Sequence, residues 1–227
     1  MFYDLFLFDL DDTLLDFKAS ERLSFFSTLK NLGINSNHDE LFSLYQTENR
    51  SLWKLFEEGK TTKDHLKVER FRKTLNAHKI DIDPVIASTR YLDTLPETVV
   101  LIEHAVEICE YLSTRGEIGI ITNGIHNTQT RRIENSAIKK YISFVSVSEE
   151  CDFAKPDIRF FEYSAKMAKK FNKASALVIG DRLETDVQGA HNFGLDACWF
   201  NPSQDEIVDL KPKYNIKHLS ELRKIFV

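Results

Sequence analysis

Cysteine is scarce in this chain. Three occur among 227 residues, Cys109, Cys151 and Cys198. They are far apart, odd in number and without the paired spacing of a zinc site. They read as reduced thiols, which excludes a disulfide scaffold and fits the cytoplasm. An excess of basic charge is also missing: 30 Lys and Arg against 35 Asp and Glu leave a net charge of −5. Such a balance lacks the basic stripe of a nucleic-acid binder, so no nucleic acid polymer is expected as a partner. An anionic substrate would have to be drawn in by local cations and a metal. No apolar run approaches the roughly 20 residues that span a bilayer, and no membrane association is expected. The opening MFYDLFLFDLDDT carries Asp4 and Asp9 and has no basic n-region, so it is not expected to be a secretory signal. The seven histidines show no metal spacing, and there is no repeat or low-complexity tract. What is present suits a soluble, packed protein: 42% hydrophobic and 29% charged residues. The length allows one large domain, or a core domain carrying a smaller insert.

The hydrophobic pattern divides the chain in three. Residues 3–10 (YDLFLFDL) read as a buried strand running into an acidic loop. Residues 17–95 hold no convincing strand and two glycines, Gly33 and Gly59. Helical spacing joins Leu23, Phe26 and Leu29, and again Leu41, Leu44 and Tyr45, with Phe25 and Phe26 expected in the core of a small bundle. Gly59 is placed to end one helix, Thr61 to cap the next with Asp64 three residues on, and Pro84 to open the last. Beyond residue 96 helices and strands alternate. Strands are expected at 118–122, 144–147, 176–179 and 197–200, and helices at 105–112, 129–136, 160–170 and 186–193. A short strand and closing helix are expected over 214–226. The implied fold is α/β: a Rossmann-like parallel sheet with helices on both faces, formed by residues 1–16 and 96–227, plus an inserted all-helical cap domain at 17–95. In such a sheet, ligands collect at the carboxyl ends of the strands.

Four of those strand ends are polar. The first is Asp9-Leu10-Asp11-Asp12-Thr13. Two carboxylates two residues apart can face one site, one attacking phosphorus and the other handling the proton of the leaving oxygen. The second is Thr122-Asn123-Gly124, where a hydroxyl and free backbone N–H groups suit phosphate oxygens; alone it is also an ordinary turn. The third is Lys155-Pro156, a lysine placed unfavourably at a helix start unless it neutralises a phosphate or a carboxylate. The fourth, Gly180 to Asp186, contributes Asp181 and Asp186. Oxygen ligands with no histidine or thiolate suit magnesium, although Asp186 also fits a simple helix cap.

The order DLDDT, TNG, KP, GDRLETD resembles the haloacid dehalogenase (HAD) superfamily over the whole chain. The resemblance implies catalysis by Asp9 as nucleophile, Asp11 as general acid/base and Lys155. It implies phosphate binding by Thr122, Asn123 and Gly124, and a Mg2+ site drawn from Asp9, Asp11, Asp181 and Asp186. A closer similarity is to HAD-type pyrimidine 5′-nucleotidases with a helical C1 cap, around Asn49–Trp53, Glu58–Thr62, Ile120–Gly124 and Cys198-Trp199. One departure is Glu103-His104, where many relatives have Pro-Gly. The expected activity is magnesium-dependent hydrolysis of a small phosphorylated metabolite, a nucleoside 5′-monophosphate by preference. Phosphatase action on a sugar phosphate or other metabolite, a phosphomutase and an idle binding protein on the same scaffold are the alternatives. Carbon–halogen hydrolysis is disfavoured, because a halide needs no acid such as Asp11. Substrate discrimination is expected from the insert, hinged near Asp16–Phe17 and Thr94–Pro96, with Trp53 either the base-stacking candidate or a residue of the bundle core. Trp199 is expected in the core and His126 in solvent.

Overall fold

The computed structural model describes residues 3–206 and 210–225. Six strands form one fully parallel sheet: β1 (Leu5–Phe8), β2 (Glu117–Thr122), β3 (Phe144–Val147), β4 (Ala176–Gly180), β5 (Asp196–Phe200) and β6 (Tyr214–Ile216). Their order is β3-β2-β1-β4-β5-β6. β1 and β4 are buried along their whole length, which is why LFLF and ALVIG read as continuous apolar runs and not as an alternating pattern. β1 sits between β2 and β4, so the loop carrying Asp9 opens at the centre of the sheet edge, between the loops after its two neighbours.

The chain forms two compact units, Met1–Phe17 with Val100–Val227, and Lys18–Val99. The chain leaves the first unit beyond Phe17 and returns at Val100, and the Asp16 N–H donates to the Val100 carbonyl at 2.9 Å. The return falls later than the expected 95/96 boundary. Leu95–Glu97 continue the last helix of the insert as a 3-10 turn with Leu95 and Pro96 buried.

Within the insert the helices are α1 (Phe17–Asn31), α2 (His38–Glu57), α3 (Lys63–Ala77) and α4 (Pro84–Thr94). Gly59 follows α2 at φ +70°, a backbone that glycine adopts without strain. Pro84 opens α4 behind an Asp83 cap. Two expectations are corrected. α3 is capped by Thr62, whose hydroxyl accepts from the His65 N–H at 3.2 Å, and not by Thr61. On α1, Leu23 is exposed and Phe26 only half-buried, while Glu21, Ser24, Phe25 and Thr28 face inward. The reason is polar: Glu21 accepts from Gln46 (3.1 Å) and Asn49 (2.9 Å), and Asn49 accepts from buried Arg70 (2.9 Å). An apolar periodicity cannot register a helix face that is buried through hydrogen bonds.

In the first unit, α5 (Ala105–Ser113), α6 (His126–Glu134), α7 (Ser148–Cys151), α8 (Ile158–Met167) and α9 (Gln188–Phe193) connect the strands, and α10 (Leu222–Ile225) follows β6. Residue 226, expected in the closing helix, lies outside the described residues. A π-helical turn, Leu183–Val187, precedes α9, so the expected helix start at Asp186 falls inside it. His104 caps α5 at φ +66°, a left-handed backbone that glycine takes more easily. At the departure from Pro-Gly, His104 thus takes a backbone conformation that glycine adopts more easily. Among the described residues, no helix is long and apolar enough to cross a membrane.

Candidate active site

The site is built from the ends of β1, β2 and β4 and the loop before α8. Asp9 is the first residue past β1, and its N–H pairs with the Ile179 carbonyl of β4 at 2.8 Å. That sheet-like bond fixes its backbone, and its side chain is nearly buried. Thr13 donates from its hydroxyl to Asp9 Oδ2 at 3.2 Å and lies 3.4 Å from Asp181 Oδ1. Lys155 is 3% exposed. Its ammonium donates to Asp9 Oδ1 (2.6 Å), Asp186 Oδ1 (2.7 Å) and the Ile121 carbonyl (2.9 Å). All three of its protons are engaged, so it is a fixed charge and not a solvated lysine.

Asp9, Asp181 and Asp186 bring carboxylate oxygens within 4.8 Å of one another. Asp186 is held from both sides, by Lys155 and by the Arg182 N–H at 3.1 Å. Glycine at position 180 makes this possible: a Cβ there would lie 2.4 Å from the Asp186 carboxyl carbon. Asp181 is anchored through its backbone, whose carbonyl accepts from the Trp199 indole at 2.7 Å. Trp199 is a core residue, as expected, and also holds this loop.

The electrostatics are those of a carboxylate cluster short of positive charge. Burial pushes Asp9 up from 3.8 to about 7, with Asp186 and Asp11 adding to the shift and Lys155 opposing it. Burial, then Asp9 and Asp186, push Asp181 up from 3.8 to about 8. Burial opposes the charged form of Lys155, but Asp186 and Asp9 outweigh it and hold the ammonium above the ordinary lysine value. One lysine does not neutralise three acids, and an all-oxygen set with a residual negative charge fits a hard divalent cation.

A measurable consequence follows from the sign of these shifts. Carboxyls whose pKa is raised on folding bind more protons folded than unfolded, so their contribution favours folding below pH 4 and is lost as pH rises to about 7–8. In chelator, the melting temperature is expected to fall across that window. Magnesium is expected to raise it more at about pH 8 than at about pH 5, because cation binding must displace protons at low pH. A magnesium-induced shift independent of pH would contradict the coupling.

The remaining predicted residues fall differently. Thr122 is buried at the end of β2, and its hydroxyl accepts from the Gly124 N–H (3.1 Å) and Gln129 Nε2 (3.0 Å), keeping its own proton to donate. Asn123, expected on phosphate, is engaged elsewhere: its amide donates to the Lys155 carbonyl (3.0 Å) and accepts from the Lys155 N–H (2.8 Å). It clamps the lysine loop to the end of β2. The Asp11 side chain is not one of the three clustered carboxylates. Its two oxygens are bound by Arg132 and by Gln129 Nε2, the latter at 2.7 Å. Its carboxylate thus turns toward α6. Arg132 and Gln129 are the site-adjacent residues that the sequence reading missed. Their i, i+3 spacing on α6 was the available signal. Trp53, in the other unit, is half-buried on α2, edge-on to Phe56 with ring centroids 5.6 Å apart, and His126 is exposed.

Residues 6–200 match the haloacid dehalogenase-like hydrolase family. The HAD-hydrolase YfnB of Bacillus subtilis is 34% identical over 224 residues, covering 98% of this chain and 95% of its own. The fold matches its magnesium-bound crystal structure with a TM-score of 0.92, covering 100% of this chain and 99% of that one. The pyrimidine 5′-nucleotidase PynA of Streptococcus pneumoniae is 32% identical over 224 residues, covering 98% of this chain and 94% of its own. The pyrimidine 5′-nucleotidase YjjG of Escherichia coli is 28% identical over 229 residues, covering 99% and 98%. With the sheet order, the four loops and these relatives together, the chain belongs to the haloacid dehalogenase-like hydrolases and is an enzyme.

Proposed function

We propose that the chain is a magnesium-dependent phosphomonoesterase acting through an aspartyl-phosphate on Asp9, with a nucleoside 5′-monophosphate as substrate. The observation that carries this reading is the Lys155 ammonium bound to both Asp9 and Asp186 beside Asp181. It gives a nearly dry nucleophile, a fixed cation and an acidic ligand set at one sheet edge. Asp9, Asp181 and Asp186 would hold the ion. When bound, magnesium supplies positive charge to the oxygens of the transferring phosphoryl group.

In the first step an Asp9 oxygen attacks phosphorus in line, the P–O ester bond breaks, and Asp11 gives its proton to the leaving oxygen. In the second, Asp11 takes a proton from water as that water attacks phosphorus, and Asp9 leaves as the free carboxylate. Lys155 holds Asp9 and balances the charge of the phosphoryl oxygens, and the Thr122 proton is available to one of them. The Asp11 role argues for phosphate esters over carbon–halogen substrates, since a departing halide takes no proton.

Two nucleotidase relatives support the choice of a nucleoside monophosphate. We assign discrimination beyond the phosphate to the helical insert, with Trp53 stacking on the base, an interaction worth about 1–3 kcal/mol. The test is a panel of nucleotides, sugar phosphates and a baseless ester, with magnesium and with chelator. Pyrimidine nucleotides are expected to give the highest kcat/KM, and chelator to remove turnover. Trp53→Ala is expected to lower kcat/KM about 5- to 150-fold on nucleotides and to spare the baseless ester. Preference for sugar phosphates over every nucleotide would refute the nucleotidase reading and leave the phosphatase reading standing.

A further inference from the structure

We propose that Arg132, together with Gln129, is the positioning device for Asp11, fixing one oxygen of its carboxylate and leaving the other to exchange protons with the ester oxygen. This rests on the phosphatase reading above. Arg132 lies on α6 with its side chain fully buried. Its Nη1 bonds Asp11 Oδ1 and donates to Gln129 Oε1 at 2.8 Å. Gln129 in turn donates through Nε2 to Asp11 Oδ2 (2.7 Å) and to the Thr122 hydroxyl (3.0 Å). One helix therefore ties together the candidate acid/base and the candidate phosphate-binding hydroxyl.

Three features mark this as more than packing. Asp11 is the ion-pair partner of Arg132 among the described residues. The Nε and Nη2 of Arg132 have no hydrogen-bond partner among the described residues, so Asp11 and Gln129 are the groups its guanidinium bonds there. A buried guanidinium is costly unless it is paired, and Asp11 supplies that pairing. Finally, Gly124 leaves room for Gln129: a Cβ at position 124 would lie 2.4 Å from Gln129 Nε2.

The two ties are unequal in strength. A guanidinium–carboxylate bond is charge-assisted, and a neutral amide donor is weaker. Oδ1 is therefore the fixed oxygen and Oδ2 the one that is released. Once free of Gln129, Oδ2 carries the proton given to the ester oxygen as the P–O bond breaks, and it takes a proton back from water in the second step.

The test separates leaving groups in the presence of magnesium. p-Nitrophenyl phosphate releases a stable anion and needs little protonation; the best alkyl phosphate of the panel needs a proton. Arg132→Met is expected to lower kcat on the alkyl ester about 100-fold and on p-nitrophenyl phosphate less than about 3-fold, with KM little changed. Arg132→Lys is expected to restore part of the loss. Gln129→Met removes no charge and carries the test if Arg132→Met does not fold; about 10-fold on the alkyl ester alone is expected. In an Asp11→Asn background, either substitution is expected to add nothing further on the alkyl ester. Equal losses on both esters in folded variants, or full alkyl-ester activity, would overturn the proposal alone. Wild-type protein that hydrolyses neither ester would overturn the phosphatase reading and the proposal with it.

Discussion

Asp9→Asn is expected to lower phosphate release by about four orders of magnitude or more while leaving the fold intact. An amide of nearly the same shape keeps an oxygen for the Lys155 ammonium and a partner for the Thr13 hydroxyl. It has no lone-pair charge with which to attack phosphorus. The substitution also removes one of three clustered acids. In chelator at neutral pH, the variant is therefore expected to melt no lower than wild type, because like charge held in a buried site opposes folding. Single-turnover phosphate release with thermal melting measures both. Near wild-type release would eliminate Asp9 as nucleophile, and a lost melting transition would show that it carries structural weight beyond the chemistry.

Lys155→Ala is expected to lower kcat/KM about 100- to 1,000-fold, the usual effect of removing a preorganised charge from a partly dry site. It is also expected to destabilise, unlike Asp9→Asn. Without the ammonium, Asp9 and Asp186 face each other in a buried space, and breaking a buried ion pair by removing one partner costs about 3–5 kcal/mol. The deficit is expected to shrink as pH falls below about 7, because Asp9 lies at about 7 even against the opposing ammonium and its protonation relieves the repulsion. Urea unfolding at two pH values, with and without magnesium, reads this directly. A Lys155→Ala protein that keeps wild-type turnover would contradict the site as described. One that keeps wild-type stability in chelator would mean that another group neutralises the acids.

The strands were legible because parallel sheets bury both faces of each strand. LFLF, IGIIT and ALVI therefore stand out as short apolar runs ending in polar loops. Asp9 and Asp181 were legible for the same reason: a charge directly after a buried run has few structural excuses; Lys155, in the loop before α8, stood out instead as a lysine at a helix start. Polar side chains on helices gave no such contrast. Arg132 and Gln129 lie in HNTQTRRIE, which looks solvated throughout, yet both are buried. Glu21 was hidden in the same way on α1. The Asn123 amide likewise gave no sign of its partner, the backbone of a residue 32 positions away.

The sequence by itself determined the α/β alternation, the all-helical character of the insert, which acids follow strand ends and which lysine precedes a helix. These depend on local periodicity and on the change from apolar to polar that every strand end displays. Only the tertiary structure decided the sheet order, which sets β1 between β2 and β4 and so gathers Asp9, Lys155, Asp181 and Asp186. It alone decided that Asp11 turns to Arg132 and Gln129 and that Asn123 clamps the Lys155 loop. A hydrogen bond forms between groups brought close by packing, and chain separation leaves no periodic trace from which such a pairing can be read.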